Sequence, residues 1–446
     1  MKIVIAGAGE TGTHLAKMLG SEDHSITVID EDEKRLDSLA ALADVITVEG
    51  DITLFDVLGK AEVKKCDLFI AVSPDENSNI LSAVLAKQLG ARKAICRIDN
   101  DEYLRPNNKE VFINMGIDYM FYPEMVAADE VITMLGHSST TEYVDFSGGK
   151  LVLIAFKVEN SSTLANRTLI DVTHDRENQD YRTVAISRAG QTIIPRGDDM
   201  FQVGDMIYVI TNKDSVNEVM DFTGKSNIEV KNMMILGGGS IGRRIAKALQ
   251  NRVNIKLFDY NPDKAYKIAE ILDKTLVINA DGRKMEIMMD EGLDTMDAFV
   301  ALTARSETNI LAAMFAKSMG VKKVIAEVEN LNYIDIAEGM GVDTIINKKL
   351  ITAGSIFRFT MNTDVQAIKC LNGCDAEVLE FIVKPDSPVT KRKIKDTNFL
   401  RDAIIGGVVR SDRAFIATGN TEIQAYDRVV VFALPGAISK VGKFFD

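Results

Sequence analysis

Short, continuous apolar runs recur along this chain. Each is followed by a glycine turn or a polar segment, and then by a stretch with helical apolar spacing. In the first part of the chain the runs are Ile3–Ala6, Ile26–Asp30, Val45–Val48, Leu68–Val72, Ala94–Arg97 and Tyr119–Phe121. Runs that are apolar throughout, rather than alternating, are expected of strands covered on both faces. Between them lie helical segments, as where Leu15, Met18 and Leu19 share one face after the first glycine turn. Strands alternating with helices predict an α/β fold with a parallel, doubly wound sheet.

The same pattern then returns. A second set of runs occupies Met233–Leu236, Ile255–Asp259, Thr275–Ile278, Ala298–Leu302, Val324–Glu327 and Thr344–Ile346. DLFIAVSPDENSNIL, from Asp67 to Leu81, is echoed by DAFVALTARSETNIL, from Asp297 to Leu311, an offset of 230 positions that falls to 225 by MGID (Met115–Asp118) and MGVD (Met340–Asp343). A period this long marks a duplicated domain with a small deletion rather than a solenoid.

Behind each copy lies a smaller, strand-rich module. An apolar strand (Leu151–Lys157; Ala376–Val383) precedes a helix-like stretch reaching Asp171 or Asp396, then a strand pair around Val184–Arg188 or Gly407–Ser411. FQVGDMIYVI, Phe201 to Ile210, then matches IQAYDRVVVF, Ile423 to Phe432, with a polar turn ending in Asp205 or Asp427. The expected plan is two Rossmann-like domains, residues 1–135 and 230–360, each followed by a small α+β domain, residues 140–224 and 364–446. The polar segment Thr223–Lys231 reads as the linker between halves.

Composition narrows the function. The chain has 446 residues, 46% hydrophobic, with a formal net charge of −13. That balance argues against nucleic acid or an anionic membrane surface as a direct partner. No segment approaches the roughly 18 consecutive apolar residues that span a bilayer, and the N-terminus lacks a secretory pattern. The expected location is the cytosol, or a membrane face reached through a partner. Cys66 and Cys96 fall in or beside predicted strands and read as core thiols. Cys370 and Cys374 are close in sequence but lack further metal ligands nearby.

The candidate chemistry sits in two glycine loops. Gly7, Gly9 and Gly12 follow the first strand, and Gly237, Gly239 and Gly242 stand in the same frame in the second copy. The first glycine permits a tight turn, the second lets a diphosphate approach the backbone, and the third lets the following helix pack on the sheet. Free N–H groups at the helix start attract the phosphates. Asp30 and Asp259, closing the second strands, are expected to bind an adenosine ribose and to repel a 2′-phosphate. This favours NAD(H) or an adenine nucleotide over NADP(H). Asp51 and Asp281 are expected to border the adenine, and Ser73–Pro74 and Thr303–Ala304 to face phosphate or ribose from the fourth strands. Arg97 ends the fifth strand, where the second copy has Glu327, so the first site is expected to prefer the more anionic ligand.

No catalytic constellation accompanies these loops. His14, His24, His137 and His174 are scattered, and the chain has no nucleophile elbow, no Walker lysine motif and no clustered metal ligands. A nucleotide sensor fits better than an enzyme. An NAD-dependent oxidoreductase and a sensor serving another partner, such as a transcription regulator, remain as alternatives.

These residues resemble the peripheral, nucleotide-binding subunits of bacterial and archaeal Trk potassium-uptake systems. The resemblance spans nearly the whole chain: both fingerprints, both repeated segments and both small modules. It matches the regulator-of-potassium-conductance (RCK) pattern, an N-terminal Rossmann lobe plus a C-terminal lobe, present twice. It implies a non-enzymatic protein that binds NAD(H), with ATP or ADP as an alternative or additional ligand. It further implies a homotetrameric cytosolic ring docked beneath a potassium-translocating membrane subunit, whose gating follows the bound nucleotide. The ligand positions so implied are Gly7, Ala8, Gly9, Glu10, Thr11, Gly12, Asp30, Asp51, Ile52, Ser73, Pro74 and Arg97. In the second half they are Gly237, Gly238, Gly239, Ser240, Ile241, Gly242, Asp259, Asp281, Gly282, Thr303 and Ala304, with Glu327 departing from the pattern.

Overall fold

A computed structural model of the chain describes residues 1–20, 24–174, 180–221, 228–357, 359, 365–371 and 374–445. Most of the expected linker, and the side chains of His174 and Cys370, lie outside the described residues.

The first apolar runs form the strands Lys2–Ala6 (β1), Ser25–Asp30 (β2), Ile46–Glu49 (β3), Leu68–Ala71 (β4), Lys93–Arg97 (β5) and Tyr119–Phe121 (β6). They make one sheet in the order β3-β2-β1-β4-β5-β6, parallel throughout. Ile5 pairs with Val28 on one side and Ile70 on the other, so β1, β2 and β4 end level with one another. The chain order reverses between β1 and β4, which opens a crevice at the carboxyl ends of the strands. Phe69, Ile70 and Ala71 are fully buried, as the unbroken apolar pattern requires.

Five further strands follow: Glu142–Phe146 (β7), Leu151–Lys157 (β8), Tyr181–Arg188 (β9), Gln191–Ile193 (β10) and Met206–Asn212 (β11). They form an antiparallel sheet ordered β10-β9-β11-β8-β7. The second copy repeats both designs. Asn232–Leu236 (β12), Asn254–Asp259 (β13), Leu276–Asn279 (β14), Ala298–Ala301 (β15), Lys323–Glu327 (β16) and Thr344–Ile346 (β17) form the second parallel sheet, ordered β14-β13-β12-β15-β16-β17. Val365–Cys370 (β18), Glu377–Ile382 (β19), Ala403–Arg410 (β20), Arg413–Ile416 (β21) and Arg428–Ala433 (β22) form the second antiparallel sheet, ordered β18-β19-β22-β20-β21.

Two details differ from the sequence reading. Each small sheet gains an edge strand, β7 or β18, ahead of the first strand expected. The helix-like stretch is an α-helix only at Leu169–His174. Its counterpart is two 3₁₀ turns, Pro388–Thr390 and Ile394–Asp396. Pro385 and Pro388 remove backbone donors there, and the following TKRK run has no apolar face to bury.

The chain packs as two compact units. One contains Met1–Val126 and Ile351–Asn362, the other Ala127–Leu350 and Thr363–Asp446. The helix after each parallel sheet is therefore shared: Pro123–Gly136 begins in the first unit and continues in the second, and Lys348–Phe357 does the reverse. In the first unit Phe359 lies against Tyr119, with ring centroids 5.3 Å apart, and Lys93 Nζ is 5.5 Å from its ring centre. In the second unit Lys323, the repeat partner of Lys93, is buried and donates from Nζ to the Thr140 carbonyl at 2.7 Å and to Thr344 Oγ1 at 3.0 Å.

Within the second unit the two small sheets share one core. Phe146, Leu153, Val184, Tyr208 and Ile210 from one sheet pack with Val378, Val409, Val430 and Phe432 from the other. Their approach is close enough to need glycine: a Cβ at Gly406 would lie 2.9 Å from Ile210 Cγ2, and one at Gly407 2.8 Å from Leu151 Cδ1. Arg182 crosses between the sheets, donating from Nη1 to the carbonyls of Ile405 at 3.1 Å and Ala417 at 2.5 Å.

Candidate functional site

Each crevice is built on its glycine loop. In the first copy Gly7 has φ +112°, and a Cβ there would lie 2.9 Å from the Ser73 amide nitrogen. A Cβ at Gly12 would lie 1.8 Å from the Gly7 carbonyl oxygen. These two glycines are demanded by the protein's own packing. Gly9 is different, because a Cβ there would meet nothing within 4 Å. The fold does not need glycine at that position, whereas a diphosphate resting on the loop does. The same contrast holds in the second copy, where Gly237 and Gly242 are crowded and Gly239 is open. Gly239 also caps the helix Ser240–Leu249 with no side-chain hydrogen bond, leaving the first-turn N–H groups aimed at the crevice. Glu10 and Thr11 open the corresponding helix of the first copy, Glu10–Gly20, with Glu10 exposed.

Asp30 and Asp259 are tied to these loops. Asp30 accepts from the Ala8 amide at 2.6 Å and from the Asp32 amide at 2.9 Å. Asp259 accepts from the Gly238 amide at 3.1 Å and the Asn261 amide at 3.0 Å. An ionised carboxylate has about four acceptor sites, so each acid keeps capacity for ribose hydroxyls. Beside Asp30 opens a pocket of about 460 Å³ lined by Asp30, Glu31, Asp32, Glu33 and Glu49, with Lys34 and Arg35 the only bases. This surface opposes a further phosphate at the ribose. In the second copy Lys264 Nζ sits 2.8 Å from Asp259 Oδ2. Gly238 stands where the first copy has Ala8, and a Cβ at Gly238 would lie 2.4 Å from Ile268 Cδ1.

A residue pair missing from the sequence reading holds the strand ends together. Asn79, 1% exposed, accepts from the Ser73 amide at 2.8 Å and donates to the carbonyls of Ser73 at 2.9 Å and Arg97 at 3.2 Å. Asn309 does the same for Thr303 and Glu327. Both asparagines stand in the repeated DENSNIL and RSETNIL segments, so a polar residue kept at an inward helical position in both copies was the available signal. Asn79→Leu is expected to strand three buried polar groups and to cost about 1–3 kcal/mol. Urea unfolding checks this, and an unchanged midpoint would refute it.

The fifth-strand position carries opposite charges in opposite pairs. Arg97 Nη2 donates to Glu124 Oε1 at 3.0 Å and to Asp99 Oδ1 at 3.1 Å, while its Nε is buried without a hydrogen bond. Glu327 is paired instead with Lys348 Nζ at 2.7 Å. Burial raises the pKa of Glu327, and Lys348 opposes that rise. Thus each strand end is bridged to the helix that follows the sheet, with the signs exchanged. Asp51 is held by the Thr53 amide and hydroxyl, at 2.8 and 2.7 Å. Asp281 is instead engaged by Arg283, which holds its carboxyl down at about 2. Ile52 is buried where the second copy has Gly282, at which a Cβ would lie 2.2 Å from Leu236 Cδ1. Ser73 and Thr303 are half-buried at the crevice, and Pro74 and Ala304 are exposed beyond them.

The described residues contain no group of three or more His, Cys, Asp or Glu side chains able to hold a metal. Cys66 and Cys96 are buried, and burial pushes each thiol up to about 12.

Comparison with known proteins identifies this arrangement. The TrkA-N domain matches residues 3–123 and 233–348, and the TrkA-C domain residues 153–224 and 378–446. The chain belongs to the TrkA family. This TrkA-family chain is 30% identical over 447 residues to the Trk system potassium uptake protein TrkA homolog of Archaeoglobus fulgidus, covering 100% of both chains. It is also 30% identical to TrkA of Halomonas elongata, over 97% of this chain and 96% of that one. In fold it is similar to the GsuK RCK domain, with TM-score 0.62 at 15% identity over 99% of this chain and 94% of that one. It is likewise similar to the GsuK channel bound to NAD, with TM-score 0.61 at 16% identity over 100% and 78%. The family is one of potassium uptake proteins with tandem RCK domains and is not a known enzyme family. No helix among the described residues of this TrkA-family chain is long and apolar enough to cross a membrane.

Proposed function

We propose that the chain is the nucleotide-responsive regulatory subunit of a Trk-type potassium uptake system. It binds NAD(H), with ATP or ADP as an alternative or additional ligand, in the crevices at Gly7–Gly12 and Gly237–Gly242. It sits on the inner face of the cell membrane through the potassium-translocating subunit and sets that subunit's gating according to the nucleotide bound. The observation that carries this reading is the pair of open loop positions, Gly9 and Gly239, each beside a buried acid that keeps acceptor capacity. GsuK, of similar fold, has been solved bound to NAD and bound to ADP. When bound, a nucleotide supplies no reaction here. It supplies a diphosphate for the loop amides and a ribose for Asp30 or Asp259. Ser73 and Thr303 line the phosphate side, Asp51–Ile52 and Asp281–Gly282 the base side. A ligand shifts an assembly between shapes only by binding one shape better.

The proposed assembly is a ring of four chains. Repeat-equivalent apolar residues remain exposed in both lobes, among them Leu81 and Leu311 at 49% and 59%, and Met115 and Met340 at 42% and 51%. A surface kept apolar in both copies supports self-association through both lobes.

Isothermal titration tests the site assignment. Asp30→Ala and Asp259→Ala are each expected to lose one NADH site, because a lost charge-assisted hydrogen bond costs about 1.5–3 kcal/mol, or about tenfold or more in affinity. NADPH is expected to bind at least tenfold more weakly than NADH. For ATP the first site is expected to be the tighter, since Arg97 lies on its phosphate side and Glu327 on that of the second. Equal ATP affinity at both sites would overturn that assignment. Potassium flux through vesicles holding the membrane subunit, with and without this chain, tests the regulatory role across ATP, ADP and NADH.

A further inference from the structure

A second cleft, away from both glycine loops, lies within the second unit between the first small sheet and the second Rossmann lobe. Its volume is about 580 Å³. From the small sheet it is lined by Lys157, Glu159 and Ser161, and from the Rossmann lobe by Lys317, Glu338 and Asp343. Two of these charges are already spent. Lys317 Nζ donates to both Asp343 oxygens at 2.7 Å and to the Lys322 carbonyl at 3.0 Å. The same cluster recurs in the first copy, where Lys87 holds Asp118 and the Arg92 carbonyl, so it is a structural clasp. Lys157 and Glu338 are different. Lys157 lies near enough to favour the ionised form of Glu338, yet no direct ion pair joins them. One ammonium and one carboxyl thus face the same space with neither neutralised by contact.

We propose that this cleft binds a small zwitterion of the amino-acid or betaine class, its cationic group against Glu338 and its carboxylate against Lys157. Charge decides the class. A nucleotide or inorganic phosphate brings more than one negative charge to a cleft where, with Lys317 and Asp343 paired, Glu159 and Glu338 outnumber Lys157, and like charges this close repel. A bare divalent cation finds no group of three carboxylate, imidazole or thiolate ligands among the described residues. A zwitterion meets each side with the opposite sign. Val158, Val203 and Val342 supply apolar wall for its carbon skeleton. The helix Ser306–Ser318 carries Asn309 at the second nucleotide crevice and Lys317 at this cleft, so one rigid element reaches both.

The proposal carries a proton signature. Burial and the charge of Asp335 push Glu338 up to about 7, against the pull of Lys157. Glu159, Lys317 and Asp343 face it across the cleft, and Tyr208 feels its charge from the sheet. A cation placed beside Glu338 lowers its pKa, so binding at pH 7 releases a fraction of a proton. Titration of the full chain with glycine betaine, L-proline and L-glutamine, in two buffers of different ionisation enthalpy, reads both affinity and proton release. At least one zwitterion is expected to bind, with an apparent enthalpy that differs between buffers. Glu338→Gln is expected to abolish the buffer dependence and weaken binding at least tenfold, and Lys157→Gln to weaken binding while keeping the buffer dependence. NADH binding at the Asp259 site, which lies in the same unit, reports that each variant remains folded. Phosphate binding in place of the zwitterions, saturation by none of them at 50-fold above about 1 mM, or binding unaffected by Glu338→Gln would each overturn the proposal.

Discussion

Gly9→Val is expected to leave the thermal midpoint nearly unchanged while eliminating nucleotide binding at the first crevice, whereas Gly12→Val unfolds the first unit. The two substitutions add the same side chain three residues apart, and local packing separates their outcomes. A Cβ at Gly9 has no protein atom within 4 Å, so it projects into the space a diphosphate needs. A Cβ at Gly12 lies 1.8 Å from the Gly7 carbonyl oxygen, a backbone atom that moves only if strand β1 or the helix Glu10–Gly20 moves. That helix buries Leu15, Ala16 and Leu19 against the sheet, so the overlap is relieved only by giving up packing, at about 3 kcal/mol or more. Differential scanning calorimetry and NADH titration on both variants check the pair. A large drop in midpoint for Gly9→Val would show that this glycine serves the fold. Retained NADH affinity in that variant would remove the diphosphate from the loop.

The two nucleotide crevices show how far a sequence carries. The strands of both Rossmann lobes are legible to within about one residue: burial on both faces demands unbroken apolar runs in the central strands, whereas the edge strands β3 and β14 keep apolar residues that stay largely exposed. The glycine loops are legible because each glycine answers a local steric need. The ion pairs at the fifth strands are only half legible. Arg97 and Glu327 stand at matching positions, but their partners, Glu124 and Lys348, lie beyond the point where the repeat offset changes. The two carboxylates that hold Arg97, on Asp99 and Glu124, are therefore absent from the sequence reading of that strand end. Asn79 and Asn309 were hidden for a different reason: their bonds go to backbone groups at the ends of two other strands, and periodicity says nothing about those. The face-to-face packing of the small sheets was equally silent. An apolar strand face announces that it will be covered, not by what. Edge strand β7 shows the same gap, since EYVDF is too short and too polar to declare itself before β8 pairs with it.

The small modules bury their apolar faces against one another inside a single chain.

Asp205→Ala is expected to destabilise that pair by about 1.5–3 kcal/mol, the worth of hydrogen bonds to a charged group, because Asp205 is buried while Arg188 keeps 31% of its side chain in solvent. Asp205 is 1% exposed and takes the Arg188 guanidinium in two parallel bonds, each 2.8 Å, plus the Gln202 amide at 2.8 Å. Arg188 in turn donates to the Met200 carbonyl at 2.7 Å. Arg410, Asp427, Gln424 and Glu422 reproduce every one of these contacts in the second module. The motif pins the polar turn before the last strand of each sheet to the end of the strand pair, which fixes where β11 and β22 enter the core. Removing the carboxylate leaves Arg188 without its bidentate partner and orphans the turn amide. Because the two sheets share Tyr208, Val430 and Phe432 in one cluster, the loss is expected to propagate. Asp205→Ala and Asp427→Ala should each lower a common unfolding midpoint rather than melt one module alone, and the double variant should lose less than the sum of the two. Hydrogen exchange resolved by peptide measures this directly. Faster exchange confined to the mutated sheet, with the other sheet's protection intact, would mean that the small modules fold independently and that their shared core does not couple them.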